Sequence, residues 1–595
     1  MRFPLVLAAA LLLLLSAAAA PLAASAADPL SRVTVDRGAA ERLGHFRDTA
    51  DGATFVPRGN NYVRLAQAPG GAAYHSTFEP GQYDAGRVDA ALAEMQGDGY
   101  NTVRVFVDPG SIGDANAGHP HGLGRGVDDH GTLYGPYMDN VADFIRRADD
   151  RCVRVVVTLD GFPENAHYYT EVTKRPVSPD IGGPNLMVLD AMHVEAREAY
   201  VGDFVRGLRD RLGADRLSAV FAYQIDNEAY VVADAKPFAG GPAQVTTANG
   251  RTYDMTSFGA GGDRQRAVDD GFAYVANRLA AAIRSVDPAA LVTMGVYTHA
   301  AVGQGGPNGI VQATPDNRRP ARPALLARDS TLSFLDVHLY PTEQPNGVNQ
   351  PYTVDGDLSS SEWAGIAGKP VVIGELGAVK SFWGDDLNAA AYGMRDLQVT
   401  TCKLGAAGWL YWTFDTHEQL ASQSSFFMLD DGGGAINGQL APIARPDACN
   451  PAIVSPYRGA GTCNRVAPVP APPAGTPAPM PKPRPRRAVS AARRGVRLTV
   501  WQASLRQVLR RGLRVDVRVP ARGRLAIAAR YRRRVIASTR LRARRAGVQH
   551  VQLHISRAGR TRLRRARVAR VGVAVRFRSA RGVTTTVRVP LTLRR

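Results

Sequence analysis

Cysteine is scarce in this sequence. Among 595 residues there are four, Cys152, Cys402, Cys449 and Cys463, and none has the CxxC or Cys/His spacing of a metal site. We interpret all four as structural. Cys449 and Cys463 flank a segment rich in proline and glycine, so we expect a local disulfide between them. Sequence alone leaves open whether Cys152 pairs with Cys402.

Long apolar runs are absent after the N-terminus. The chain begins with Arg2, an apolar stretch to about residue 20 and small residues before Asp28, which is the pattern of a secretory signal peptide over residues 1–27. A retained membrane anchor is the alternative, but the apolar core is short and an Ala-x-Ala pattern follows it. No later run is long enough to span a bilayer. We therefore expect a secreted protein, either free outside the cell or associated with its surface.

Acidic residues are nearly missing from the C-terminal fifth. Residues 481–595 hold 35 Lys and Arg against one acid, Asp516, a net charge of +34, whereas the preceding 480 residues hold 38 basic and 52 acidic residues, a net charge of −14. Between these parts, "VAPVPAPPAGTPAPMPKPRPRR" has nine prolines and predicts an extended spacer. The predicted division is a signal peptide (1–27), a main domain (28–465), a Pro-rich linker (466–488) and an Arg-rich domain (489–595).

The Arg-rich domain alternates apolar residues with arginine or polar residues, as in "LRVDVRV" and "VGVAVRF". This period of two predicts a small antiparallel β-sandwich of six or seven strands. An exposed arginine face could adhere to an anionic polymer outside the cell. Nucleic acid would satisfy the same electrostatics, but export argues against it as the purpose. The alternative is that arginine is simply this chain's ordinary surface residue.

Eight β-rich runs separated by helical stretches fill the main domain between residues 53 and 412. Their nearly continuous apolar residues are typical of strands buried on both faces. Eight such units predict an α/β fold, a (β/α)8 TIM barrel with long loop insertions. A doubly wound open sheet is the rival, but it would need a Gly-rich phosphate turn after the first strand. "RGNNY" offers only one glycine there.

Several catalytic signatures are also absent: the sequence has no HExxH, no P-loop and no GxSxG. In a barrel of this type the active site lies at the carboxyl ends of the strands. Carboxylates, aromatics and amides dominate at the ends of the predicted strands: Asn60, Asn61, Arg104, Asp108, Asp160, Asp226, Asn227, Glu228, His338, Tyr340, Glu375, Trp409, Trp412 and Asp415.

Two of these carboxylates occupy matching places. Glu228 ends the fourth run and Glu375 ends the seventh, and these strands face each other across the mouth of an eight-stranded barrel. Cleavage of a glycosidic bond needs such a pair, one group to protonate the departing oxygen and one to attack or stabilise the anomeric carbon. A separation of about 5–5.5 Å permits direct attack with retention of configuration, and a wider gap admits water and inverts it.

Ordered motifs extend the likeness to a known family. "VRVF", "DNE", "HLY", "VVIGELG" and "WLYW" at the second, fourth, sixth, seventh and eighth strands resemble glycoside hydrolase family 5, the retaining cellulase and mannanase family, over roughly residues 50–430. The resemblance implies Glu228 as acid/base and Glu375 as nucleophile. It further implies that Arg104 lies beside Glu375, because a nearby cation lowers the pKa of a carboxyl group. Asn227 would hydrogen-bond the sugar 2-hydroxyl. The other implied substrate-binding residues are Asn61, His338, Tyr340 and Trp412.

Departures from the family pattern leave the substrate open. The acid/base motif reads "NEAY", where the family often has proline after the glutamate, and the third strand ends "TLDGFPEN", where it often has histidine. "QIDNE" is also similar to retaining β-galactosidases of family 42. Trp409 and Trp412 should face opposite ways, and we favour Trp412 as the sugar platform. Some further residues either bind sugar hydroxyls or cap loops (Asp160, Asp226, His417, Glu418), while His119, His121 and His130 lack metal-ligand spacing.

The sequence thus predicts a secreted retaining β-glycoside hydrolase that cleaves a β-glycan or oligosaccharide with two glutamates. It needs no cofactor and no metal. The alternatives are an exo-acting, β-galactosidase-like enzyme of the same clan and a catalytically silent carbohydrate-binding protein.

Overall fold

A computed structural model describes two stretches of the chain. They are residues 28–465, without 39–42, 68–72, 111–120, 125–132, 164, 305, 313–315, 341–365, 367, 417–418, 451 and 453–462, and residues 488–594, without 494–495, 502–504, 506–507, 510–511, 533, 544–546, 565, 567 and 580–583. The chain divides after residue 469 into two compact units. The predicted signal peptide and residues 466–487 of the predicted linker lie outside the described residues, so both stay predictions.

A closed ring of eight parallel strands forms the centre of the first unit. The strands are β1 (Arg58–Asn61), β2 (Thr102–Val107), β3 (Arg154–Leu159), β4 (Val220–Gln224), β5 (Val292–Thr293 and Gly295–Val296), β6 (Leu335–Leu339), β7 (Val371–Gly377) and β8 (Gly408–Trp412). Neighbours in the chain pair in parallel, and β8 returns to pair with β1. The two segments of β5 pair with β4 and β6, respectively, which completes the ring. The predicted (β/α)8 barrel is confirmed.

Helices connect successive strands around the ring. They are α1 (Ala85–Gly97), α2 (Gly135–Asp150), α3 (Ala191–Leu212), α4 (Asp263–Val286), α5 (Pro323–Asp329) and α6 (Leu387–Lys403). The side chains of Asp84, Asp190 and Asp386 accept hydrogen bonds from the first backbone amides of α1, α3 and α6. These N-caps explain why those helices begin where they do. The connection between β6 and β7 falls mostly outside the described residues.

The interior of the barrel is layered because alternate residues of each strand point inward. An apolar layer, Val156, Ala222, Val372 and Leu410, lies nearest the amino ends of the strands and packs on Phe46. Phe46 belongs to a three-stranded sheet (Val33–Asp36, His45–Asp48, Thr54–Phe55), and its ring lies 5.0 Å from Phe221 and 5.2 Å from Phe334. The amino end of the barrel is therefore filled with apolar side chains, which leaves the carboxyl end for polar ones.

Both disulfides tie the segment after β8 to the amino-terminal side of the barrel. Cys463 pairs with Cys152, which precedes β3, and Cys449 pairs with Cys402, near the end of α6. The expected local disulfide between Cys449 and Cys463 is wrong. The segment runs beneath the barrel, where Arg58 at the start of β1 donates to the carbonyls of Leu440 and Arg445, both at 2.5 Å. Cys449 and Cys463 therefore each lie against a cysteine of the barrel and not against each other.

The described part of the second unit has two four-stranded antiparallel sheets and a short helix, Arg557–Arg564. One has the order β9-β10-β11-β14 and the other β13-β12-β15-β16. The strands are β9 (Ala488–Arg493), β10 (Val496–Trp501), β11 (Leu513–Val519), β12 (Gly523–Tyr531), β13 (Arg534–Ala543), β14 (Gly547–Leu553), β15 (Val568–Ser579) and β16 (Thr584–Arg594). Buried residues of both sheets share one apolar core. The predicted all-β sandwich is confirmed, with eight strands instead of six or seven.

Within the two described stretches, no helix combines the length and the apolar character that crossing a bilayer would require.

Candidate active site

Arg104 is the centre of a hydrogen-bond network at the carboxyl end of the barrel. It extends inward from β2, and its side chain has no exposed surface. Its Nη1 donates to Glu375 Oε1 at 2.6 Å and to Asn61 Oδ1 at 2.8 Å, and its Nη2 donates to Asn227 Oδ1 at 2.6 Å. A fully buried guanidinium is tolerated only with such partners. It thereby holds side chains from β1, β7 and the loop after β4 in one arrangement.

Glu375 is a buried carboxylate with donors on both oxygens. Oε1 accepts from Arg104, and Oε2 accepts from the hydroxyl of Tyr340, which follows β6. Burial and the negative charge of Glu375 raise the pKa of Tyr340 well above its usual value, so its hydroxyl remains a donor. These contacts hold both oxygens of Glu375 in place at the mouth of the barrel.

Glu228 lies four residues beyond the end of β4, in a loop attached to β5 by backbone hydrogen bonds from Gly295 to Asp226 and from Ala229 to Gly295, both at 2.9 Å. Its Oε1 lies 2.9 Å from Nδ1 of the buried His338. Burial raises the pKa of Glu228, but the hydrogen bond and charge of His338, with more distant arginines, outweigh it, so the pKa is lowered. Burial alone would lower the pKa of His338, yet the charge of Glu375 and the bond to Glu228 leave it raised.

The two glutamates approach each other closely. One oxygen of each and a nitrogen of His338 lie within 4.8 Å of one another. His338 Nδ1 is 3.4 Å from Glu375 Oε2, so the imidazole contacts both carboxylates. The mouth therefore holds two carboxylates in unlike surroundings, one bound by Arg104 and Tyr340 and the other by His338.

The remaining predicted site residues also line this end of the barrel. Asn61 donates from Nδ2 to the carbonyls of Gly374 and Tyr411, which aims its oxygen at Arg104. The ring of Trp412 faces inward and meets Phe106 edge-on, with centroids 5.9 Å apart. Its buried Nε1 has no hydrogen-bond partner among the described residues. Trp409 points the other way, is buried, and donates to Thr401 Oγ1 at 2.7 Å, so the alternation along β8 separates the two tryptophans.

Some of the other strand-end residues serve the loops. Asp108 accepts from the Gly110 amide and lies 3.1 Å from His121 Nδ1, within the loop after β2. Asp415 forms ion pairs with Arg64 at 2.9 Å and Arg87 at 2.6 Å. These contacts are structural. His119, His130, His417 and Glu418 lie outside the described residues.

Asp160 and Asp226 form a carboxyl pair beside the site. The fully buried Arg197 donates to Asp226 Oδ2 at 2.9 Å. The side chain of Asp160 is in contact with solvent, but protein atoms crowd around its carboxyl group. This carboxyl group hydrogen-bonds Asp226. Burial and the charge of Asp226 raise the pKa of Asp160 to about 7. A protonated Asp160 donates its one O–H to Asp226, which holds the two carboxyl groups together beside the site.

Sequence reasoning missed several residues that support the network. Gln224 accepts from Arg104 Nε at 2.7 Å and donates to Asp336 Oδ2 at 2.8 Å, which links β2, β4 and β6 beneath the glutamates. The glutamine was visible in "YQIDNE", but only an inward-facing register marks it as part of the network. His75 stacks on Phe106 at 4.5 Å, and burial lowers its pKa to about 4. It comes from an insertion without a recognisable pattern.

The same three groups, Glu228, His338 and Glu375, also have the oxygen and nitrogen atoms that a divalent cation would require. However, Arg104 already places a positive charge 2.6 Å from Glu375 Oε1. A divalent cation bound to Glu375 would lie close to this guanidinium and be repelled by its positive charge. The donor set fits a pair of reacting carboxylates better than a metal centre.

Comparison with known proteins finds likenesses only among solved structures. No family model matches the sequence, and neither does any curated protein. An exo-β-1,4-mannosidase from Opitutaceae bacterium strain TAV5 aligns at 18% identity over 68% of this chain and 61% of its own, so less than two thirds of its length, with a TM-score of 0.41. A β-mannanase from the blue mussel Mytilus edulis aligns at 16% over 72% and 100%, with a TM-score of 0.40. A glycoside hydrolase family 5 mannosidase from Rhizomucor miehei aligns at 13% over 64% and 86%, with a TM-score of 0.36. Because these sequence identities and TM-scores are low, the chemistry of the site has to be inferred from this chain's own side chains.

Proposed function

We propose that this protein is a retaining β-glycoside hydrolase that acts by double displacement. The observation that carries the proposal is the pair Glu228 and Glu375, with oxygens within 4.8 Å in unlike surroundings. Inverting enzymes separate their carboxyl groups by roughly 6.5–9.5 Å to admit water, whereas retaining ones keep them about 5–5.5 Å apart. The close approach supports direct attack on the sugar.

Glu375 is the proposed nucleophile. Its oxygen forms a bond to the anomeric carbon while the bond from that carbon to the departing oxygen breaks, and Glu228 transfers its proton to that oxygen. Water then gives a proton to Glu228 and attacks the anomeric carbon, which releases Glu375. Arg104 and Tyr340 hydrogen-bond the two oxygens of Glu375 and so orient the nucleophile for attack, and Arg104 fixes the oxygen of Asn227 so that its amide group can face the sugar 2-hydroxyl.

His338 is the proposed proton reservoir for Glu228. The two share a hydrogen bond of 2.9 Å, and the pKa of His338 is raised while that of Glu228 is lowered. A proton on Nδ1 can move along this bond to Glu228 as the departing oxygen gains negative charge. The histidine becomes neutral and the glutamic acid becomes the donor, so Glu228 need not be protonated in the free enzyme.

A β-linked glycan or oligosaccharide is the proposed substrate. Trp412 offers an apolar floor for a sugar ring at the mouth of the barrel. The exo-acting, β-galactosidase-like alternative uses the same pair of glutamates. It would be distinguished by mass analysis of the products of one oligosaccharide, because an exo enzyme releases single sugars from one end.

We further propose that the enzyme is exported through the signal peptide at residues 1–27 and retained on anionic surface polymers by its Arg-rich unit. The net charge of +34 over residues 481–595 supports retention.

A panel of chromogenic β-glycosides and dyed polysaccharides tests the proposal. We expect the wild type to cleave at least one member, and Glu375→Gln to lower kcat by about 10⁴-fold or more with an unchanged circular dichroism spectrum, because the nucleophile is lost. Glu94→Gln, on the exposed side of α1, is the matched control and should keep full activity. If no member is cleaved although sugars bind, the protein is a carbohydrate-binding barrel instead.

A further inference from the structure

One sheet of the second unit has an outer face made almost entirely of arginine and small residues. In the sheet β13-β12-β15-β16, the inward residues, such as Leu525, Ile527, Val573 and Val575, are buried in the core. The outward residues surround a groove of about 1380 Å³. We call this groove the arginine trough: its floor is Ala526, Ala528, Gly572 and Ala574, and the arginines that line it are Arg530, Arg540, Arg576 and Arg588.

The register of the strands explains the shape of the trough. Ala526 lies between Arg540 on β13 and Arg576 on β15, and Ala574 lies between Ala528 on β12 and Arg588 on β16. Arg540 on β13 and Arg588 on β16 therefore flank the small residues of the two central strands, and Arg530 and Arg576 extend from those central strands next to the small residues. A ligand can approach the floor closely while guanidinium groups reach it from either side.

Positive charge continues beyond the trough at one end. Arg524 on β12 pairs with Arg542 on β13 and with Arg578 on β15, which brings three exposed arginines side by side. From Arg524 to Arg530 the distance along β12 is about 20 Å, at about 3.3 Å per residue. Like charges on directly opposed strands are destabilising. A chain of negative charges along this face would relieve that repulsion over its whole length.

No acid of the unit lies on this sheet. Asp516 is the single acidic residue of the C-terminal part, and it belongs to β11 in the other sheet, where it pairs with Thr499 and His550. The arginines of the trough thus have no carboxylate of their own sheet to pair with. Arginine side chains bind carboxylates through two parallel hydrogen bonds, which favours ligands with repeated carboxylate groups.

We propose that the arginine trough binds a linear, carboxylate-bearing polysaccharide along its length. This inference deepens the proposed retention on anionic polymers and rests on that proposal. Polysaccharide is favoured over single-stranded nucleic acid because no aromatic ring lines the trough, and nucleic-acid grooves use such rings to stack bases. It is favoured over polyphosphate because the barrel on the same chain is proposed to act on glycans.

The test compares two triple variants of the full chain that remove equal charge. Arg540→Gln, Arg576→Gln and Arg588→Gln alter the trough. Arg518→Gln, Arg557→Gln and Arg560→Gln alter exposed arginines that do not line it. Binding to polygalacturonate is measured by affinity electrophoresis, with its neutral methyl ester as the uncharged reference.

We expect the trough variant to bind polygalacturonate about tenfold more weakly than wild type, and the control variant to stay within about threefold, since each lost exposed ion pair has a modest effect. Neither variant should bind the neutral methyl ester. Equal weakening in both variants would overturn the trough while leaving retention by net charge in place. No binding by the wild type would overturn both proposals. Tighter, trough-dependent binding of polyphosphate or single-stranded DNA would overturn polysaccharide as the occupant.

Discussion

At the scale of single residues, His338 determines how protons are distributed at the mouth of the barrel. It contacts Glu228 at 2.9 Å and Glu375 at 3.4 Å, and its pKa is raised chiefly by the charge of Glu375 against the effect of burial. A raised histidine pKa means that the pair of His338 and Glu228 keeps its proton to higher pH than Glu228 would alone. Stability from this interaction is complete below the unfolded-state pKa of histidine and is lost as pH rises through the raised folded-state pKa.

His338→Gln tests this distribution. Glutamine can keep a hydrogen bond to Glu228 but has no proton to lose in this range. We expect the basic limb of the pH profile of kcat/KM to move to lower pH, because it then follows Glu228 alone. A lowered rate with an unshifted basic limb would mean that His338 only positions Glu228.

Asp160 gives a separate, measurable effect of pH on stability. Burial and the charge of Asp226 raise its pKa to about 7, so the folded protein holds this proton between about pH 4 and 7 while the unfolded chain releases it. The contribution of Asp160 to stability must therefore fall as pH rises through that window. We expect Asp160→Asn to gain in Tm relative to wild type between pH 5 and pH 8. Asp210→Asn, at an exposed position, should show no such trend, and a flat difference for Asp160→Asn would refute the shifted pKa.

At the scale of the strands, two glycines allow β7 to present Glu375. A Cβ on Gly374 would lie 1.8 Å from Asp336 Oδ1, and one on Gly377 would lie 2.3 Å from the ring of Tyr340. The motif "GELG" therefore lets β6 bring Asp336 and Tyr340 against β7 on either side of the glutamate. Burial raises the pKa of Asp336, and Gln224 donates to it.

Gly374→Ala would force Asp336 out of this arrangement. We expect the unfolding free energy to fall by about 1–3 kcal/mol, with a matching loss of kcat, because overpacking shifts the strand that carries Glu375. Gly438→Ala, in a short helix with no atom within 4 Å of the added Cβ, is the control and should be neutral or slightly stabilising. Unchanged stability in Gly374→Ala would show that Asp336 can move freely.

Most of the strands were predictable because strands buried on both faces leave nearly continuous apolar runs. All eight runs contain a barrel strand, although β1 itself, Arg58–Asn61, is polar. The ends of the strands were less predictable. Glu228 lies in the loop after β4 instead of on the strand, because backbone bonds to Gly295 hold that loop. The disulfides depend on where the chain runs after β8, and His75 reaches the site through an insertion. Neither the path of the chain after β8 nor the position of His75 leaves a periodic signal in the sequence.

At the scale of the whole molecule, the chain joins an acidic barrel to a basic sandwich. The two compact units divide after residue 469, and each has its own apolar core. The alternating arginines predicted the sandwich, but only strand register shows that they gather around small residues on one sheet. From this separation of charge along the chain we propose that the barrel performs the chemistry and the sandwich the attachment.

Deletion of residues 481–595 tests that assignment. We expect kcat/KM for a small chromogenic glycoside to stay within about twofold, because every residue of the proposed site lies in the barrel, and retention on an anionic matrix to be lost at low salt. Activity and retention are measured on the same preparation. Loss of both would mean that the barrel needs the basic unit to fold.

The most direct measurement follows the anomeric proton of the first product by NMR while a β-linked oligosaccharide is cleaved. Double displacement through Glu375 predicts that the new reducing end appears first as the β-anomer and reaches the α-anomer only by later mutarotation. A product that appears first as the α-anomer would contradict it, since one inversion at the anomeric carbon leaves no role for a covalent bond to Glu375.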